Sequence, residues 1–73
     1  MKKIETIEKE SDVILTFNYD QEEETLTIRF HSGTVYEYYD VPEGTYYAFV
    51  QADSLGEFFN SEIKGVYPYC RVK

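Results

Sequence analysis

The feature that most restricts the fold of this chain is a change of hydrophobic period at Pro42. Before it, apolar residues recur at every second position, the period of a strand with one buried face. After it, they recur at three and four, the period of a helix face. Val13, Leu15 and Phe17 alternate with Ile14, Thr16 and Asn18. Leu26, Ile28 and Phe30 alternate with Thr25, Thr27 and Arg29. Tyr36 and Tyr38 share one face of a third strand spanning 34–39, with Val35, Glu37 and Tyr39 on the other. The turns between them are short: the polar run 20–24 and the segment His31-Ser32-Gly33. Strands joined this way form an antiparallel meander.

Pro42 suits the first turn of a helix, where its missing N–H is not needed. Tyr46, Phe49 and Val50 then fall on one face, and Ala52-Asp53 ends or kinks this helix. Ser54-Leu55-Gly56-Glu57 has the form of a capping box. It opens a second helix that buries Leu55, Phe58 or Phe59, and Ile63, and that Gly65 stops as a C′ glycine. The segment 66–72 reads as extended, and Pro68 confines it to a sheet edge or a strap over the surface. Strands grouped ahead of helices predict α+β: a three-stranded antiparallel meander, two short helices on one face, and an extended C-terminal tail or edge strand. Residues 1–10 form a charged N-terminal extension with Ile4 and Ile7 as its apolar anchors. A frayed arm, a turn of helix and an edge strand all fit it. Residues 11–73 form a single α+β domain.

At 73 residues there is room for one domain, and a chain so short buries only about 60% of its unfolded surface. Aromatic packing must supply much of its core, and eight Tyr and five Phe are available. A single cysteine, Cys70, excludes an intramolecular disulfide; the expectation for it is a small buried hydrophobe. The start of the chain lacks an apolar signal core and nothing approaches the ~20 apolar residues of a membrane span. The expectations are therefore cytoplasmic residence and no membrane.

The net charge of −7 repels phosphate backbones and anionic surfaces. It is unevenly spread. Glu5, Glu8, Glu10, Asp12, Asp20, Glu22, Glu23 and Glu24 crowd the first third, whereas Lys64, Arg71 and Lys73 stand in the last ten residues without an acid.

Several sequence features together resemble the KTSC domain, a family named for its place at the C-terminus of some lysyl-tRNA synthetases and found alone in bacterial and phage-like proteins. They are Tyr36-Glu37-Tyr38, Val41-Pro42, the run from Ala52 through Ser54, Gly56 and Phe59 to Asn60, and Tyr67-Pro68-Tyr69. The resemblance covers roughly residues 11–72 and rests on the order and spacing of the motifs. It marks Tyr36, Tyr38, Pro42, Ser54, Gly56 and Phe59 as family-motif positions. It implies the fold and, through the synthetase association, an RNA-binding accessory role, which the acidity of this chain opposes.

Catalytic chemistry finds few candidates. One histidine, His31, and one thiol cannot make a zinc site. Glu22-Glu23-Glu24 lacks the Gly-containing loop of a calcium site. Ser54 is a helix cap rather than a nucleophile, and there is no Gly-rich phosphate cradle. No cofactor, no metal and no enzymatic activity are expected. Tyr36 and Tyr38 fit a core better than an open stacking platform, and the alternative needs rings on the opposite face, where Tyr39 with Arg29 is the candidate pair. In the tail, bases interleave with aromatics. Asn60, Lys64, Tyr67, Tyr69 and Arg71 are the candidate binding residues, with Tyr67, Tyr69 and Arg71 on one face of an extended strand. Such a surface fits a protein partner, because Tyr and Arg are enriched at binding hot spots. It also fits single-stranded RNA through phosphate contact and stacking. A third reading is a phage-type acidic inhibitor that mimics nucleic acid through residues 5–24. A free sheet edge makes a homodimer plausible.

Overall fold

The computed structural model describes residues 13–73 throughout and, ahead of them, the backbone of Ile4–Ile7. Five strands form one antiparallel sheet in simple chain order: β1 (Ile4–Ile7), β2 (Ile14–Asp20), β3 (Thr25–Phe30), β4 (Val35–Tyr38) and β5 (Tyr69–Arg71). The expected meander is its centre. Of the three readings of the N-terminal segment, Ile4–Ile7 takes the edge strand, with Ile4 opposite Asp20 and Ile7 opposite Phe17. The other edge is β5.

Cross-strand pairs lie on one face of a sheet, so the register sorts the residues. Phe17 faces Ile28, Tyr19 faces Leu26, Ile28 faces Tyr36, Leu26 faces Tyr38, and Tyr38 faces Tyr69. This is the covered face. One part of the expected alternation is displaced. The register slips between Ile14 and Thr16, which leaves Leu15 as an extra residue in β2. Beyond this bulge the phase reverses: Ile14 is buried, while Val13 and Leu15 are exposed.

The β2–β3 turn is built by its own acids. Asp20 Oδ1 accepts the N–H groups of Glu22 and Glu23 at 3.0 and 3.1 Å. Glu24 takes a left-handed φ of 54°, and its carbonyl accepts the Val41 N–H at 2.9 Å. Gln21 donates to Glu43. The Gln21 side chain and the Glu24 carbonyl thus fasten the hairpin to the start of the first helix.

That helix, α1 (Glu43–Val50), follows Pro42 and buries Tyr46 and Phe49. A second, α2 (Leu55–Phe58), starts at Ser54, whose hydroxyl accepts the Glu57 N–H at 3.2 Å. The chain then widens into one π-helical turn over Phe59–Ile63, closed by the Lys64 N–H donating to the Phe59 carbonyl at 2.8 Å. Gly65, at φ +79°, turns the chain out of it. Leu55, Phe59 and Ile63 are buried and Phe58 is half-buried against the core, which settles the Phe58-or-Phe59 alternative in favour of Phe59. Both helices cover the same face of the sheet. Among the described residues no helix is long and apolar enough to cross a membrane.

Candidate functional site

The helices do not cover the whole sheet face. Over β2 and β3 the cover is complete: Phe17 and Phe49 pack edge to face at 4.7 Å, and Tyr46 stacks on Tyr19 at 4.4 Å and 10°. Over β4 and β5 it stops short. Here the π turn stands off from the edge strand and leaves an open groove of about 410 Å³. Phe30, Tyr36, Tyr38 and Phe59 supply its aromatic surfaces, Tyr69 its outer wall, and Asn60 and Lys64 its polar margin.

Each of these positions has a local cause. Tyr36 and Tyr38 are two apart on β4 and therefore share a face. Tyr38 lies directly opposite Tyr69 on β5, so the edge strand presents its tyrosine to the same side. The ring of Tyr69 sits 5.5 Å from both Tyr36 and Tyr38, yet it remains 59% exposed. On the π turn, Phe59 and Ile63 are four apart and both buried; Asn60 and Lys64, also four apart, come one position later and stand exposed at the margin. Widened turns of this kind recur at functional sites.

The groove is graded from dry to wet. Tyr38, at its bottom, is buried and packs edge to face on Phe59 at 5.5 Å. Burial pushes its phenol up to about 12, with the neighbouring phenols of Tyr36 and Tyr69 adding to the effect. Tyr36 is half-buried and Tyr69 is mostly in water. The core reading of the Tyr36–Tyr38 pair therefore holds for buried Tyr38, and half-buried Tyr36 packs against the same core while its open side lines the groove.

Of the candidate binding residues, the structure brings Asn60, Lys64 and Tyr69 to this groove. Arg71 is exposed on β5 beside it, opposite Tyr36, and its Nε donates to the Lys73 carbonyl at 3.1 Å. Tyr67 is not part of this surface. It is half-buried against the core, with its hydroxyl 3.1 Å from Thr45 Oγ1 of α1. The strand-like alternation that would join it to Tyr69 and Arg71 does not begin until after Pro68. Sequence reasoning missed Val13 and Phe30, which complete the groove wall; the bulge that turns Val13 outward leaves no mark in the alternation.

Among the family-motif positions, Ser54 caps α2, Pro42 precedes α1, and Gly56 packs beside Val13, where an added Cβ would sit 3.7 Å from Cγ2. On the opposite face of the sheet, Tyr39 donates to Glu37 at 2.9 Å, a bond that, with partial desolvation, pushes its phenol up to about 12. Arg29, exposed, pairs across the ladder with Val35 rather than with Tyr39. Cys70 is exposed there too, against the expectation of burial. It sits on an edge strand and on the face that no helix covers. Among the described residues no three His, Cys, Asp or Glu side chains gather as a metal site would require.

A five-stranded meander with one face partly roofed by two short helices defines a small sheet-and-helix module with an aromatic groove at its C-terminal edge. The chain belongs to the KTSC domain family, whose pattern it matches over residues 10–67. The fold is similar to the crystal structure of a KTSC domain protein from Yersinia pestis, with a TM-score of 0.91 and 31% identity over 97% of this chain and all of the other. In sequence it is 43% identical over 63 residues to part of a lysine-tRNA ligase of Nostoc punctiforme. That alignment takes in 86% of this chain and spans 11% of the ligase. It is also 38% identical to an uncharacterised protein of Stutzerimonas stutzeri, over 86% of this chain and 90% of that one.

Proposed function

We propose that this domain is a non-enzymatic interaction module and that the groove between β4, β5 and the π turn is its contact surface for a protein partner. The observation that carries the reading is the 59% exposure of Tyr69 at the wall of an aromatic groove. A tyrosine and an arginine beside an aromatic surface are residue types enriched at the centres of protein contacts. The basic margin of Lys64 and Arg71 on a body of net charge −7 favours acidic partners.

The runner-up, an RNA-binding accessory domain, would use the same residues. The similarity to a stretch of lysine-tRNA ligases makes tRNA the RNA to try first. Two considerations place it second. The sheet face opposite the helices carries threonines, Asn18, Arg29 and the single ring of Tyr39 rather than a row of rings among the described residues. Lys64, Arg71 and Lys73 are also few bases with which to hold a phosphate chain.

The test compares the domain with a Tyr69→Ala/Arg71→Ala double variant as immobilised bait, beside an anisotropy titration with bulk tRNA and a single-stranded RNA pool. Both substituted side chains are exposed, so the variant folds, and a thermal melt checks this. The expected result is a captured protein lost in the variant and a flat RNA titration at low salt. An unchanged set of captured proteins would remove the groove from consideration. Saturable RNA binding with a salt slope near −2, the most three bases give on a single strand, would install the RNA reading in its place.

A further inference from the structure

The groove lies beside an open sheet edge, and the two are in phase. In the β3–β4 pair, the Phe30 N–H donates to the Thr34 carbonyl at 2.9 Å, which fixes the even residues of β4 as those bonded to β3. The odd residues point the other way. The Tyr39 N–H donates to the Pro68 carbonyl at 2.9 Å, and the Val72 N–H to the Val35 carbonyl at 2.8 Å. Pro68, Cys70 and Val72 therefore spend their main-chain groups on β4. By the alternation of an antiparallel ladder, the N–H and C=O groups of Tyr69 and Arg71 point outward, away from β4 and off the edge of the sheet. The Arg71 carbonyl takes a weak contact from the Cys70 thiol at 3.7 Å.

The same two residues place their side chains on the groove face. Tyr69 forms the groove wall and Arg71 stands two positions along, both exposed. A strand added outside β5 would pair with their main-chain groups and set its own side chains beside theirs. The residue beside Tyr69 would extend the aromatic wall at the mouth of the groove, in line with Tyr38. The residue beside Arg71 would face a cation. From 64 to 73 the chain holds Lys64, Arg71 and Lys73 and no acid, so the complementary charge is negative. A second copy of this chain fits less well, because it would bring another body of charge −7 and another basic edge to the same place.

We infer that the β5 edge captures an extended acidic segment of another protein, in which a carboxylate and an aromatic residue are two positions apart. The carboxylate pairs with Arg71, the ring enters the groove past Tyr69, and the main chain adds a sixth strand. The inference rests on the proposed protein-binding role and goes further in stating how the partner is held.

The probes are two labelled heptapeptides, Ser-Thr-Glu-Thr-Phe-Thr-Ser and the same sequence with Glu and Phe exchanged, titrated into the intact domain by fluorescence anisotropy. Each is also made with a single N-methyl group at every position in turn. One of the two peptides is expected to saturate. N-methylation should weaken it about tenfold at alternate positions and leave the others within about twofold, since each blocked amide removes one main-chain bond. Which alternate set responds gives the direction of the added strand. Replacing the peptide Glu by Lys, or Arg71→Glu in the domain, should weaken binding by tenfold or more. No saturable binding by either peptide overturns the inference. A flat N-methyl scan overturns it as well, and if such binding still requires Tyr69 the groove remains a protein-binding surface held by side chains alone. A dimer in sedimentation that vanishes with Arg71→Glu would give the edge to a second copy and also overturn it.

Discussion

Two aromatic clusters sit on the same face of this sheet and have opposite fates. Phe17, Tyr19, Tyr46 and Phe49 are shut between β2, β3 and α1, each at 3% exposure or less. Tyr36, Tyr38, Phe59 and Tyr69 start from the same chemistry at the β4–β5 end but grade from buried to open. The difference is not composition but cover. An eight-residue helix lies over the first cluster, whereas a four-residue helix and a single wide turn border the second. Aromatic surface that a helix covers supports the fold; aromatic surface left beside an edge strand is available for contact.

The largest expected effect breaks the closed cluster. Phe49→Ala should cost about 3–5 kcal/mol, as buried Phe truncations do. A domain of this size has on the order of 5 kcal/mol in all, so urea denaturation should find the variant largely unfolded. If Phe49→Ala cost no more than Tyr69→Ala, the division into core and surface clusters would be wrong.

Next comes Tyr19→Phe. The Tyr19 hydroxyl donates to the Val41 carbonyl at 2.6 Å inside the closed cluster. Its removal strands a buried acceptor and should cost about 1–3 kcal/mol, read from the shift of the urea midpoint at constant slope.

The two clusters also share a response to alkali. Burial first, then the carboxylates of Glu24, Glu43 and Asp20, push the Tyr19 phenol up to about 12, and burial does the same to Tyr38. The folded protein thus holds these protons where the unfolded chain, at an ordinary phenol value of 10, releases them. Their contribution is fully present below pH 10 and is lost as the pH rises from 10 to 12. Thermal melts should be level up to about pH 10 and fall steadily above it. Tyr19→Phe should make that fall shallower; an unchanged slope would deny Tyr19 its part in it.

The smallest effect is in the open cluster. Tyr69→Ala should change stability by less than about 1 kcal/mol, because most of the ring is already in water. A larger loss would mean that β5 depends on this ring to stay in the sheet, and the groove would then be a structural edge rather than a free surface.

The central strands and both helices were legible because they obey a single period over several residues. Ile28 and Phe49 could be assigned to the core from spacing alone. The rest failed where a period is too short or broken. Ile4 and Ile7 are three apart, which suits no strand face, and only pairing with β2 makes that segment a strand. The bulge at Leu15 adds one residue, and alternation looks the same on either side of it. Tyr67 and Tyr69 look equivalent in sequence, but Pro68 separates a ring turned to Thr45 from a ring turned to the groove. The burial expected of Cys70 is not met because burial depends on which face the helices cover, and the spacing of a three-residue edge strand does not carry that information. Lys64 and Asn60 were recognised for their chemistry, whereas the wide turn that sets them at the groove margin follows from main-chain bonding.

The strand order has an architectural consequence. The chain enters the sheet at β1 and leaves it at β5, at opposite ends of a five-strand order. Four inter-strand spacings of about 4.8 Å put these edges roughly 19 Å apart. A tether arriving ahead of β1 therefore attaches on the side remote from Tyr69 and Arg71. The module can be hung from another polypeptide by its front end and still present its far rim to a visitor, in the manner of a bracket fixed at one side.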